Sequence, residues 1–200
     1  MNEEKRYIPY VSISLAAVNV VVFLLCIIMG PLLFDYGELS AVAVFEQRQV
    51  WRVFTSMFLH AGLQHLVSNM MLLVLLGGML EETIGHVSLA ITYFVSGVFA
   101  GIASLSYKVI FLETIPSVGA SGALFGLDGL LLAMVVLLPG YRQKVSLPRA
   151  LMMIGLSLYS GYSNQLIDNA AHVGGLIAGL CVGSLICLVK RRKGNYPIEY

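Results

Sequence analysis

Asn169-Ala170-Ala171-His172-Val173-Gly174-Gly175-Leu176-Ile177-Ala178-Gly179-Leu180-Cys181-Val182-Gly183 is the stretch on which the reading of this chain turns. One titratable side chain, His172, stands at the head of an apolar run, and Gly175, Gly179 and Gly183 follow at intervals of four. Residues four apart share a helix face, so the glycines form a smooth stripe that lets this helix press against a neighbour. A histidine inside such a run is by default a functional group, the alternative being a structural hydrogen bond between helices.

The run belongs to a pattern that covers the whole chain. Of 200 residues, 58% are hydrophobic and 12% charged, with a mean hydropathy of +0.85. A soluble domain carries about a quarter charged residues, so this composition belongs in a bilayer. A membrane helix needs about 20 apolar residues, and six segments approach that length: 11–34, 64–83, 87–107, 121–138, 148–162 and 168–189. The expected fold is an all-α membrane protein, one six-transmembrane-helix bundle over 11–190 with tails at 1–10 and 191–200. Segment 35–63, which holds Trp51, is too polar to span and too apolar for a solvent loop, so an interfacial first loop is expected. Ala41-Val42-Ala43 resembles a cleavage site, but the apolar stretch before it is too long for a signal peptide, and the helix is read as permanent.

Charge excludes some functions and sets direction. Net charge is +1, and without a basic stripe nucleic-acid binding has no support. Cys26, Cys181 and Cys187 lie in apolar runs without CxxC pairing and read as packing residues. With the N-terminus in the cytoplasm, inside segments hold nine of the twelve basic residues: Lys5, Arg6, Arg142, Lys144, Arg149 and 190–193. The positive-inside rule thus places both termini in the cytoplasm of a multi-pass cell-membrane protein. His65, Asn69, Ser121 and His172 then fall at similar depth near the extracytoplasmic face.

Gly119-Ala120-Ser121-Gly122 places a hydroxyl at a helix N-terminus between small residues, where unpaired N–H groups can receive an oxyanion. Taken alone, the motif is weak, since such a cluster in a membrane helix usually just permits close helix packing. The soluble nucleophile elbow needs glycine at 123, where this chain has alanine. His65 and Asn69 share one helix face, and His60 precedes them. Three histidines without HExxH and with few carboxylates nearby make a metal site a poor fit, and no cofactor is expected. Asp128 lies seven residues after Ser121, about 10 Å along a straight helix, and so is out of place to orient His172.

Together these residues resemble the rhomboid family. Trp51-Arg52 is similar to its WR element, and His60, His65 and Asn69 to its HxxxxHxxxN. Gly119-Ala120-Ser121-Gly122 matches its GxSG, and Ala171-His172 with Gly175 and Gly179 its AHxxGxxxG. The motifs occur in the family's order over roughly 45–189. The resemblance implies a serine endopeptidase that cleaves single-pass membrane proteins at the bilayer with a Ser121–His172 dyad. It also implies an oxyanion hole of Ser121 N–H, Asn69 and His65. Gly119, Phe125 and His60 would support the site, Phe125 standing where the family often has a tyrosine packed on the histidine. Segment 111–118 would line a water-filled recess, with the fifth span and 160–169 as gate and cap. Rival readings are an inactive rhomboid-like protein that binds membrane clients, a small transporter or channel using Asp128 and the histidines as a proton path, and a metal-dependent membrane hydrolase. Oligomeric state is left open.

Overall fold

A computed structural model describes residues 7–162 and 167–192. Ten α-helical stretches occur there: α1 Tyr10–Met29, α2 Pro31–Gly37, α3 Ala41–Phe45, α4 Arg52–Thr55, α5 Leu63–Leu72, α6 Gly78–Ile84, α7 His86–Phe111, α8 Ser121–Leu137, α9 Leu147–Tyr162 and α10 Asn169–Arg192. A π-helical turn, Leu73–Gly77, joins α5 to α6, so Leu63–Ile84 runs as one span. Among the described residues, four helices are long and apolar enough to cross a membrane: Tyr10–Met29, Leu63–Ile84, His86–Phe111 and Asn169–Arg192.

The first expected span, 11–34, is broken. Gly30 takes φ 70° and ψ −156°, and Pro31 starts α2 in a new direction. Proline removes a backbone donor and disfavours helical geometry in the residue before it, and glycine accepts the positive φ that results.

Helix α8 is the axis of the molecule. Its residues from Gly122 to Leu131 are all buried. Its 17 residues rise only about 25 Å, less than the hydrocarbon thickness of about 30 Å. It is surrounded by protein, and α10 and α7 pack along it most extensively.

Contact between α8 and α10 is backbone on backbone. A Cβ built on Gly175 would lie 1.9 Å from Gly122 O, and one on Gly179 1.9 Å from Gly126 O. On the other side of α8, a Cβ on Gly122 would lie 2.5 Å from Ala100 Cβ and one on Gly126 2.1 Å from Ser96 Cβ. The glycine stripe read from the sequence is therefore the packing face. Dispersion over such a close seam replaces the hydrophobic drive that lipid cannot supply.

At the opposite end of the bundle from Ser121, the fully buried Glu81 caps α1. Its Oε1 accepts Val11 N–H at 2.8 Å, and its Oε2 accepts Ser12 N–H at 2.8 Å and the Ser12 hydroxyl at 2.7 Å. His86 Nδ1 stands 2.5 Å from Oε1, so both oxygens of this buried carboxylate are met by polar partners. It fixes the start of the most peripheral helix to the α6–α7 turn.

The seam carries the first prediction. Gly179→Val puts branched carbon where only a hydrogen fits, forces α10 off α8 and destabilises the fold by at least about 1–3 kcal/mol. Thermal unfolding followed by Trp51 fluorescence measures this, and an unshifted midpoint would show that the seam does not carry the packing.

Candidate active site

The chain reaches Ser121 by a stretch of irregular backbone, 113–120. Irregular backbone at membrane depth survives only where protein or water satisfies its polar groups. Ser117 exchanges two hydrogen bonds with Leu39 in an isolated antiparallel bridge, at 2.9 and 3.0 Å. Lys108 Nζ donates to Ile115 O at 2.5 Å, and Gly119 N–H donates to Ser56 O at 2.9 Å. The loop is thus held from both sides by the first loop and by α7.

Gly119 takes φ +130°, a region open to glycine. A Cβ there would lie 2.8 Å from His65 Cε1 and 2.9 Å from Nε2. Space and dihedral both require glycine. The turn then delivers Ser121 as the first residue of α8, with the first N–H groups of the helix unpaired by helix geometry.

The four expected residues converge. His172 Nε2 and Ser121 Oγ are 2.9 Å apart, across helices brought together by the seam one turn further on. In the tautomer with its proton on Nδ1, Nε2 accepts the serine hydroxyl. His172 is buried, and its Nδ1 has no hydrogen-bond partner among the described residues. Asp128, buried two turns along α8, does not meet it. The Phe125 ring stacks on the imidazole at 4.2 Å and 21°. Loss of a tyrosine hydroxyl at that position leaves the stacking intact.

Across the Gly119 turn stand His65 and Asn69 on α5. Asn69 Nδ2 donates to His60 Nε2 at 3.0 Å, leaving its second amide proton for another acceptor. The His60 ring meets His65 edge-on at 5.0 Å. His60, in the loop before α5, therefore orients Asn69 and braces His65. Burial, and then the neighbouring His65, hold the His60 pKa down at about 4, so His60 is neutral at pH 7 and its Nε2 can accept. Among the described residues no group of three His, Cys, Asp or Glu side chains could hold a metal ion.

Trp51-Arg52 acts at a distance. Arg52, 7% exposed, donates to Asp35 O at 2.6 Å, Glu38 O at 2.8 Å and Gln49 Oε1 at 2.6 Å, fastening three strips of the first loop together. Sequence reading passed over Asp168, whose carboxylate caps α10 at Ala171 N–H at 2.9 Å. Asp followed by Asn-Ala-Ala at the head of an apolar run is an N-cap signature that could have singled it out. Of the expected gate and cap at 160–169, the part from 163 to 166 lies outside the described residues.

A family model described as "Rhomboid domain" matches residues 47–189. The chain is 37% identical over 166 residues to RHOMBOID-like protein 7 of Arabidopsis thaliana, covering 80% of this chain and 51% of that protein. It is 34% identical over 144 residues to Inactive RHOMBOID-like protein 8 of the same plant, covering 71% and 40%. Over 157 residues it is 31% identical to Rhomboid protease GluP of Bacillus subtilis, covering 78% and 29%. The chain spans about half or less of the length of these relatives.

Two outcomes follow from the geometry. Gly119→Ala displaces His65 and strains the turn, so fluorophosphonate labelling of Ser121 falls at least about tenfold. A labelling rate equal to wild type would show that the turn does not set the site. Separately, because the His60 pKa lies near 4 against 6.5 unfolded, the unfolded chain binds the extra proton between those values. The folded state is therefore fully stabilised above about pH 6.5 and loses stability as pH falls toward 4. His60→Gln keeps an acceptor for Asn69 and flattens that slope in thermal unfolding scans.

Proposed function

The chain belongs to the rhomboid family, and we propose that it is an intramembrane serine endopeptidase working with a Ser121–His172 dyad near the extracytoplasmic face of the cell membrane. The 2.9 Å contact between His172 Nε2 and Ser121 Oγ carries this reading. Six spans with both termini in the cytoplasm accord with the charge distribution.

In the first half-reaction, Ser121 Oγ attacks the scissile carbonyl carbon while its proton passes to His172 Nε2. Negative charge develops on the carbonyl oxygen, which receives hydrogen bonds from the Ser121 N–H, the Asn69 amide and His65. Collapse breaks the C–N bond, and His172 returns the proton to the leaving amine. A water molecule then attacks the acyl-serine ester, giving its proton to His172, and the second collapse restores the Ser121 hydroxyl and frees the carboxyl product. Phe125 holds the imidazole plane throughout, and no third carboxylate is needed on Nδ1.

The substrate class is single-pass membrane proteins. A helical segment keeps its carbonyls in internal hydrogen bonds, so it must unwind locally before one can enter the site, and helix-breaking residues near the scissile bond ease this. The chain's likeness to a relative named inactive makes catalysis the point to measure. The presence and mutual contact of Ser121 and His172 favour the active enzyme over a client-binding protein.

Reconstituted with a membrane-segment substrate, Ser121→Ala and His172→Ala lose at least about 10³-fold in kcat, and Asn69→Ala about 10²-fold. Chelator leaves the wild-type rate unchanged. Cleavage that persists in Ser121→Ala would falsify the mechanism, and no cleavage by wild type across several substrates would favour the client-binding reading.

A further inference from the structure

Asp168 stands four residues ahead of His172, at the N-cap of α10. Its Oδ1 accepts Ala171 N–H at 2.9 Å, the ordinary capping bond. Its Oδ2 makes contacts that a cap does not need. That oxygen accepts the Ser117 hydroxyl at 2.6 Å and the Ser104 hydroxyl, and Lys108 Nζ lies 4.0 Å away. Lys108 is 4% exposed and is itself held by Ile115 O at 2.5 Å. One carboxylate therefore joins the helix that carries the base, the loop that leads to the nucleophile, and α7.

The position of this junction matters more than its strength. The glycine seam fastens α8 to α10 from Gly122 and Gly175 onward. Ser121 and His172 lie just before those residues in their own helices, and Ser117 and Asp168 lie four before the pair. The reacting pair is thus bracketed, by the seam on one side and by the carboxylate on the other. With the seam alone, the first turn of α10 is a free helix end, and such ends fray. The carboxylate removes that freedom where the imidazole is attached. Its negative charge, one turn from His172, also offsets the positive charge that the imidazole acquires in the transition state.

We infer that Asp168 is a positioning residue for His172, setting the head of α10 against the loop through Ser117 and Ser104. It acts through the histidine and does not touch substrate. The inference rests on the Ser121–His172 protease reading above.

The test uses the full chain in lipid vesicles, with a membrane-segment substrate and, separately, the rate of Ser121 labelling by a fluorophosphonate. Asp168→Asn keeps the cap, since asparagine caps helices as well as aspartate, and removes the charge. It lowers kcat and labelling about tenfold, part of the roughly 10²–10⁴-fold that a well-placed base supplies, with KM within about twofold and an unchanged melting temperature. Ser117→Ala lowers labelling by a smaller factor. The double variant labels no more slowly than Asp168→Asn, because both changes break one junction. Labelling within about twofold of wild type in both single variants would overturn the inference, as would losses that multiply in the double variant. Ser121→Ala runs alongside: if it still cleaves, the protease reading itself fails, whatever Asp168 does.

Discussion

Backbone contact between α8 and α10 is the constraint on which the rest of the structure depends. Carbonyls of Gly122 and Gly126 occupy the space where side chains on Gly175 and Gly179 would stand. In a bilayer, apolar side chains gain nothing by leaving lipid for protein, so helices associate through close packing and polar contacts. Small residues on both faces bring the axes near enough for a serine on one helix and a histidine on the other to share a hydrogen bond. Larger residues would leave both side chains in place on their helices and out of reach of each other.

That closeness raises a second demand. The segment entering α8 is irregular, and its polar groups must be met at membrane depth. The first loop meets them. Leu39 pairs with Ser117, Ser56 accepts from Gly119, and the buried Arg52 holds the loop's own strips together. The polar first loop is therefore part of the site's scaffold, although it supplies no reacting atom. Lys108 and Asp168 add charge to the same task from the other side.

Where periodicity or a local motif carried the signal, sequence reading and structure agree closely. Spans at 64–83, 87–107, 121–138, 148–162 and 168–189 each coincide with a helix within a few residues, because their apolar length or boundary signals are encoded locally. His65 and Asn69 stand beside the Gly119 turn, and Ser121 meets His172. The stacking of Phe125 on His172 agrees with the resemblance. The break at Gly30-Pro31 was written in the sequence and lost within a long apolar run. Asp168 and Glu81 escaped notice for another reason. Apart from Ala171 and His86, their partners lie 51 to 70 residues away in the chain, and a carboxylate alone does not say which distant donors the fold will bring to it.

By itself, the sequence determined that this is a helical membrane protein, where its longer helices lie, and which residue types occupy their ends, because hydropathy and capping act over a few neighbouring residues. It also carried the ordered motifs by which the rhomboid family is known. Only the tertiary structure decided that the two glycine faces meet, that Ser121 and His172 stand 2.9 Å apart, and that Asn69 bonds to His60. Those are distances between segments far apart in the chain. They are set by the packing of whole helices and by the long-range pairing of buried polar groups, neither of which any local stretch of residues specifies.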